Sequence, residues 1–218
     1  RERDALEGKA APVDDLGPAT AKWDYRDAAG HLIAVVYRYD PPGQKKQFRP
    51  WDAMRRKWAA PVPRPPYHQP GIAMADTIIL VEGEKCAQAL IEAGVVATTA
   101  MHGANAPIEK TDWTPLAGKA LLIWPDRDRP GWEYAMAVAQ AALAVGATVC
   151  DVLLPPEDKP EGWDAADALA EGFDVAGFIA RGPRMSIKPA TATPTQEASV
   201  WATDDALALS FTTRYAED

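Results

Sequence analysis

Cysteine is scarce in this chain of 218 residues: only Cys86 and Cys150 occur, beside three histidines. A structural zinc site needs about four Cys or His ligands in close pairs. None can be assembled here, and any zinc ribbon is expected upstream of Arg1. Two isolated thiols read as small buried side chains of a protein kept in a reducing cytosol, so a cytoplasmic location is expected. Long apolar runs are also missing. Nothing is long enough to span a bilayer and no signal peptide precedes the first polar stretch, which excludes a membrane role. There is no G-x-x-x-x-G-K-S/T phosphate loop, so an ATP-driven motor would lie outside this chain. None of the six tyrosines sits in a context that marks a covalent nucleophile.

What is present is sharply divided by charge. Residues 22–68 hold ten Lys or Arg against four Asp or Glu, whereas residues 71–182 hold seven against seventeen. A basic segment beside an acidic one suits a protein that holds phosphates with one part and cations with the other; two unrelated solvated faces would look the same in composition.

The chain divides accordingly. Residues 1–21 form a polar lead-in. Residues 22–70 read as a small β-rich basic subdomain: WDYRD and HLIAVVYRYD flank a hairpin signal at Ala29-Gly30, and QFRP follows a second turn. The proline-dense stretch 59–70 is an irregular connector. Residues 71–182 alternate strand and helix: TIILVEG, the helix EKCAQALIEAG, VVATTA, KALLIW, the long helix WEYAMAVAQAALAV, TVCDVLL, and a helix from Asp164. Continuous apolar strands separated by helices predict an α/β domain with a mainly parallel sheet flanked by helices. Residues 183–200 read as a linker, and 201–218 as the start of a following region.

Acidic residues fall just after three of these strands. Glu82 follows the first, Asp126 and Asp128 the third, and Asp164 and Asp167 open the helix after the fourth. In an open α/β sheet the crevice lies at the carboxyl ends of the strands, so these groups are expected to converge. Asp126 and Asp128, two apart on extended backbone, would point to one side; Asp164 and Asp167, three apart, would share a helical face. Mg²⁺ takes oxygen ligands and keeps several waters, so two or three carboxylates plus substrate phosphates suffice. Each pair has a plainer reading as well: Asp164 and Asp167 as a helix N-cap and first-turn acid, Asp126 and Asp128 as turn residues before Pro130-Gly131.

The ordered set TIILVEGEKCAQAL, LLIWPDRDRPGWEYA and GWDAADAL resembles the Toprim domain, a Rossmann-like fold shared by bacterial-type primases, type IA and type II topoisomerases and some nucleases. The EGEK start, IWPDxDxxG centre and DAAD finish are most similar to the Toprim segments of primase–helicases carried by phages and other mobile elements. The resemblance covers roughly residues 76–181. It implies that Glu82 acts as general acid/base or metal ligand, that Asp126 and Asp128 hold Mg²⁺ or Mn²⁺, and that Asp164, with Asp167, completes the metal environment. Gly83 would let the backbone turn beside the site, and Lys85 would neutralise a nucleoside triphosphate.

The implied activity is primer synthesis on single-stranded DNA, with a helicase domain C-terminal in the parent chain. A nuclease using the same acids, or a module that only binds single strands, remains open. Lys45, Lys46, Arg49, Arg55, Arg56 and Lys57, interleaved with Trp51 and Trp58, are expected to hold the template through phosphate contacts and base stacking. The alternative is a small aromatic core under a wet basic exterior. His102 and Asn105, in the loop after the second strand, are further candidates for contact with nucleotide or template.

Overall fold

The run LIAVVYRY carries large apolar residues at both odd and even positions, and TIILV, ALLIW and VCDVL have almost no polar face. A strand of that kind is stable only when both faces are covered. The computed structural model, which describes residues 16–103 and 107–190, satisfies this demand with two sheets. The first is an antiparallel meander of β1 (Ala21–Arg26), β2 (Leu32–Tyr39) and β3 (Gln47–Asp52), with β2 in the middle. Asp27 shapes the turn between β1 and β2, its Oδ1 accepting the amides of Ala29 and His31.

After the connector and the short helix α1 (Gln69–Met74), the second sheet begins with β4 (Thr77–Val81), followed by α2 (Glu84–Glu92), β5 (Ala97–Thr98) and β6 (Ala120–Trp124). The helix α3 (Arg129–Ala144), β7 (Val149–Leu153), α4 (Ala165–Ala170), α5 (Val175–Arg181) and β8 (Arg184–Ser186) complete it. Its spatial order is β5-β4-β6-β7-β8, with the first four parallel and β8 antiparallel to β7. The α/β architecture read from the sequence is therefore observed.

Three details differ from expectation. The helix expected from Asp164 is two short helices, parted where Gly172 takes φ 73°. VVATTA supplies only two strand residues. The first residues of the expected linker form β8, because Met185 and its neighbours satisfy the free edge of β7 that would otherwise leave a row of amides unpaired. The lead-in before Leu16, Asn105, most of the linker and the region 201–218 lie outside the described residues.

Side-chain alternation assigns the core. Ile78, Leu80, Leu121, Ile123, Cys150 and Val152 pack with Tyr134, Ala135, Val138 and Ala142 of α3. Ile79, Val81, Leu122, Trp124 and Leu153 face the other way, onto α2, α4 and α5. Trp23, Tyr25, Ala34 and Val36 of the small sheet belong to that same cluster. The opposite face of the small sheet, Val35, Tyr37 and Tyr39, makes its own core with Leu16 and Trp51.

A buried hydrogen bond reinforces the junction. Tyr25 Oη donates to Glu84 Oε1 at 2.8 Å, and both residues are almost without solvent contact. Burial raises the Glu84 carboxyl above its ordinary value against the opposing pull of that bond, and also raises the Tyr25 phenol. Removing the phenol oxygen leaves a buried carboxyl short of its main donor. Tyr25→Phe is therefore expected to lower stability by about 1–3 kcal/mol, read as a lower urea midpoint at unchanged m.

Candidate active site

Glu82 directly follows β4, and Gly83 turns the chain into α2. Gly83 sits at φ 85°, where a side chain is strained, and its amide donates to Thr99 Oγ1 at 2.9 Å. Trp124 ends β6, and Asp126 follows within the turn that leads to α3. Asp164 follows the loop after β7. Because β4, β6 and β7 are parallel neighbours, all three acids stand at one rim of the sheet.

Glu82, Asp126 and Asp164 line a single cleft with Gly83, Lys85, Cys86 and His102. The opposite wall belongs to the small sheet: Trp23, Arg38, Lys46 and Phe48. Trp23 and Phe48 lie 6.4 Å apart, and Arg38 pairs with Phe48 across β2 and β3. The cleft is thus acidic and oxygen-rich on one side, cationic and aromatic on the other. Arg38 is engaged by Asp40 through a two-pronged contact of 2.8–3.1 Å.

The acids are electrostatically coupled. Burial, then the charges of Glu82, Asp164, Asp128 and Asp167, push the Asp126 carboxyl from 3.8 up to about 8. Lys85 brings a cation to the group, its Nζ standing 3.9 Å from Asp164 Oδ2. Such a donor set fits a hard divalent cation: all oxygen, negatively charged, and unfavourable to itself when bare. Among the described residues, however, no three His, Cys, Asp or Glu side chains stand close enough together to enclose an ion by themselves.

Two of the expected ligands are differently employed. Asp128 caps α3, its Oδ1 accepting the Gly131 amide at 2.7 Å, and it does not line the cleft. Asp167 and Asp164 form a reciprocal capping box, with Asp164 Oδ1 accepting the Asp167 amide at 2.7 Å and Asp167 Oδ2 accepting the Asp164 amide at 3.4 Å. Asp164 both caps α4 and lines the cleft, where its second oxygen faces Lys85.

The basic segment is also redistributed. Of the six cations expected to hold the template only Lys46 lines the cleft, while Lys45, Arg49, Arg55, Arg56 and Lys57 lie elsewhere on the small sheet and its turns. Arg55 holds the buried carboxylate of Asp52 at 3.1 Å. Trp51 is a correction: it is buried in the small core, with Trp58 edge-on at 5.0 Å and Trp58 in turn against Tyr37, so it offers no face to a base. The odd-numbered residues of β2 need cover, and Trp51 lies opposite Val35. Trp23, Arg38 and Glu84 are site-forming residues that the sequence did not single out; only the pairing of the two sheets reveals them.

Cys86 is buried, and burial raises its thiol well above the usual range, followed by the Asp164 and Asp126 charges. His102 is held at φ 81° with its amide toward Glu84 Oε1 at 3.4 Å. Burial, then the Arg64 charge, lower its imidazole pKa, so the ring is neutral at pH 7.

No protein-family model matches the sequence, and no curated protein matches it in sequence either. Solved structures do match in fold. The zinc-binding and RNA polymerase domains of the Aquifex aeolicus primase superpose with a TM-score of 0.59 at 16% identity, over 83% of this chain and 45% of that one. The primase fragment of the bacteriophage T7 primase-helicase protein gives 0.51 at 17% identity, over 70% and 58%. The E. coli primase catalytic core gives 0.51 at 16% identity, over 76% and 52%. The chain spans about half the length of these structures. It has the fold of primase catalytic domains, a Toprim-type sheet preceded by a small antiparallel one, as the resemblance implied.

Proposed function

We propose that this chain is the catalytic core of a DNA primase, a nucleotidyltransferase that joins nucleotides into primers on single-stranded DNA. The observation that carries the reading is the cleft: three acids from three separate strand ends face a cationic and aromatic wall supplied by the other sheet. Likeness of fold to primase cores supports it.

Primer synthesis requires a 3′-hydroxyl to attack an α-phosphate while pyrophosphate leaves. Mg²⁺ or Mn²⁺, held by Glu82 and Asp126 with Asp164, would activate the attacking oxygen and neutralise charge on the leaving group. Glu82 would take the hydroxyl proton or share in holding the ion. Lys85 and Lys46, one from each wall, would offset charge on the triphosphate, and Gly83 would let it approach the backbone. Phe48, half-buried against Trp23 on the cleft wall, would offer ring surface on which a base can stack. Asp128 and Asp167 hold the loops that carry Asp126 and Asp164 through their caps.

The deciding experiment supplies single-stranded template, labelled nucleotides and Mg²⁺ or Mn²⁺. New oligonucleotides support a primase. A shortened template means a nuclease, and a mobility shift without products means a binding module; either result overturns the proposal.

The remaining cations of the small sheet would hold the template electrostatically, without stacking on Trp51. Charge reversal of Lys45 and Lys57 together, both exposed, is expected to weaken single-strand binding and make its log–log salt dependence shallower by about 1.4, at roughly 0.7 for each lost phosphate contact. Fluorescence anisotropy across a salt series measures this. An unchanged slope would remove the template from this surface.

A further inference from the structure

Arg127 stands between Asp126 and Asp128, yet it is not among the residues that line the cleft. Its guanidinium reaches the loop between β7 and α4 instead, Nε donating to Pro156 O at 3.0 Å and Nη2 to Glu157 O at 2.8 Å. Its backbone binds the far end of the same loop. The Arg127 amide donates to Trp163 O at 2.9 Å, and its carbonyl accepts the Gly162 amide at 3.0 Å. One residue therefore pins both ends of the segment that delivers Asp164, and it does so immediately beside Asp126.

Whenever both are ionised, the like charges of Asp126 and Asp164 push these two loops apart. Four hydrogen bonds converging on Arg127 oppose that separation. The planar fork of a guanidinium can serve two neighbouring carbonyls at once, which the point charge of a lysine does less well. Groups that orient metal-holding side chains from behind commonly change metal affinity by about 10–100-fold when removed.

We propose that Arg127 is a positioning residue, which fixes the Asp164 loop against the Asp126 loop and so sets the affinity of the cleft for a divalent cation. The proposal rests on the reading that those acids hold such an ion. Its test uses Mn²⁺ alone, with free and bound ion distinguished by electron paramagnetic resonance, on the full chain and on Arg127→Ala, Arg127→Gln and Arg127→Lys. The dissociation constant is expected to rise about tenfold for Arg127→Gln and less for Arg127→Lys. The urea midpoint of each metal-free variant is measured alongside. A lowered midpoint with unchanged Mn²⁺ affinity means a structural role only and overturns the proposal. Gln keeps a donor and Lys keeps the charge, so the comparison stands even where Ala prevents folding. If the parent chain binds no Mn²⁺, the cation reading falls and this proposal with it; if the parent binds and Arg127→Gln binds as tightly, only the role of Arg127 is lost.

Discussion

Asp126→Asn is expected to make the metal-free protein more stable than its parent near pH 8, while abolishing both stabilisation by magnesium and primer synthesis. The direction follows from the Asp126 carboxyl, which burial and neighbouring acids raise from 3.8 to about 8. A group whose pKa is higher in the folded state contributes stability fully below about pH 3.8, and that contribution is lost as pH rises through about 8. The parent should therefore weaken across that window, whereas an amide has no proton to lose. After allowance for partial solvation the difference near pH 8 should amount to about 2–3 kcal/mol.

Magnesium is expected to reverse the order, because a ligand that binds only the folded state stabilises it in proportion to its occupancy. The parent should gain thermal stability with added ion, and the asparagine variant little or none. Turnover should fall roughly 10³-fold, the scale on which lost electrostatic support acts in such sites. Urea titrations at pH 5 and pH 8, with and without Mg²⁺, read the stability effects directly. Equal pH slopes for the two proteins would show that Asp126 is not held among its acidic neighbours as described.

Gly131→Ala should be nearly as damaging, for a different reason. Gly131 lies in the first turn of α3, where alanine is ordinarily favoured over glycine by about 1 kcal/mol. Here an added Cβ would stand 2.7 Å from the Asp126 carbonyl oxygen, 2.9 Å from its nitrogen and 3.0 Å from its Cβ. The obstacle is mostly backbone, so the loop bearing Asp126 must move. Overpacking of that kind typically costs about 1–3 kcal/mol, and a displacement near 1 Å costs about 10²-fold in rate. Thermal melting and single-turnover primer synthesis measure the two effects. A variant more stable than its parent would mean that helix propensity wins and that the close approach is not real.

The α/β domain was legible because strand and helix signals there are long and separated. TIILV and ALLIW are too apolar for one-sided strands, and Gly94 and Gly146 mark the ends of α2 and α3. The convergence of Glu82, Asp126 and Asp164 was legible for the same reason, since strand ends on a parallel sheet share a rim. The division of labour among the acids was not. An aspartate before a helix is the same residue type whether it caps an amide or faces a cation, and Asp128 does the former. The small sheet was the hardest part. Trp51 and Phe48 sit three residues apart in one basic run, yet one enters a core and the other a cleft. Strand register and the meeting of two sheets separate them, and neither is written in the local sequence. Glu84, in the first turn of α2, could not be singled out for the same reason, its partner Tyr25 lying 59 positions away.

The reversed edge strand also decides how the chain departs. β8 starts opposite Leu153, near the rim that bears the acids, and runs back to place Ser186 opposite Asp151. Beyond it Ile187 bonds to Cys150, and the Gln140 side chain holds Lys188 and Ala190 along the flank of α3. The last described residues thus lie behind the sheet, against α3, and leave the rim that bears Glu82, Asp126 and Asp164 on the other side.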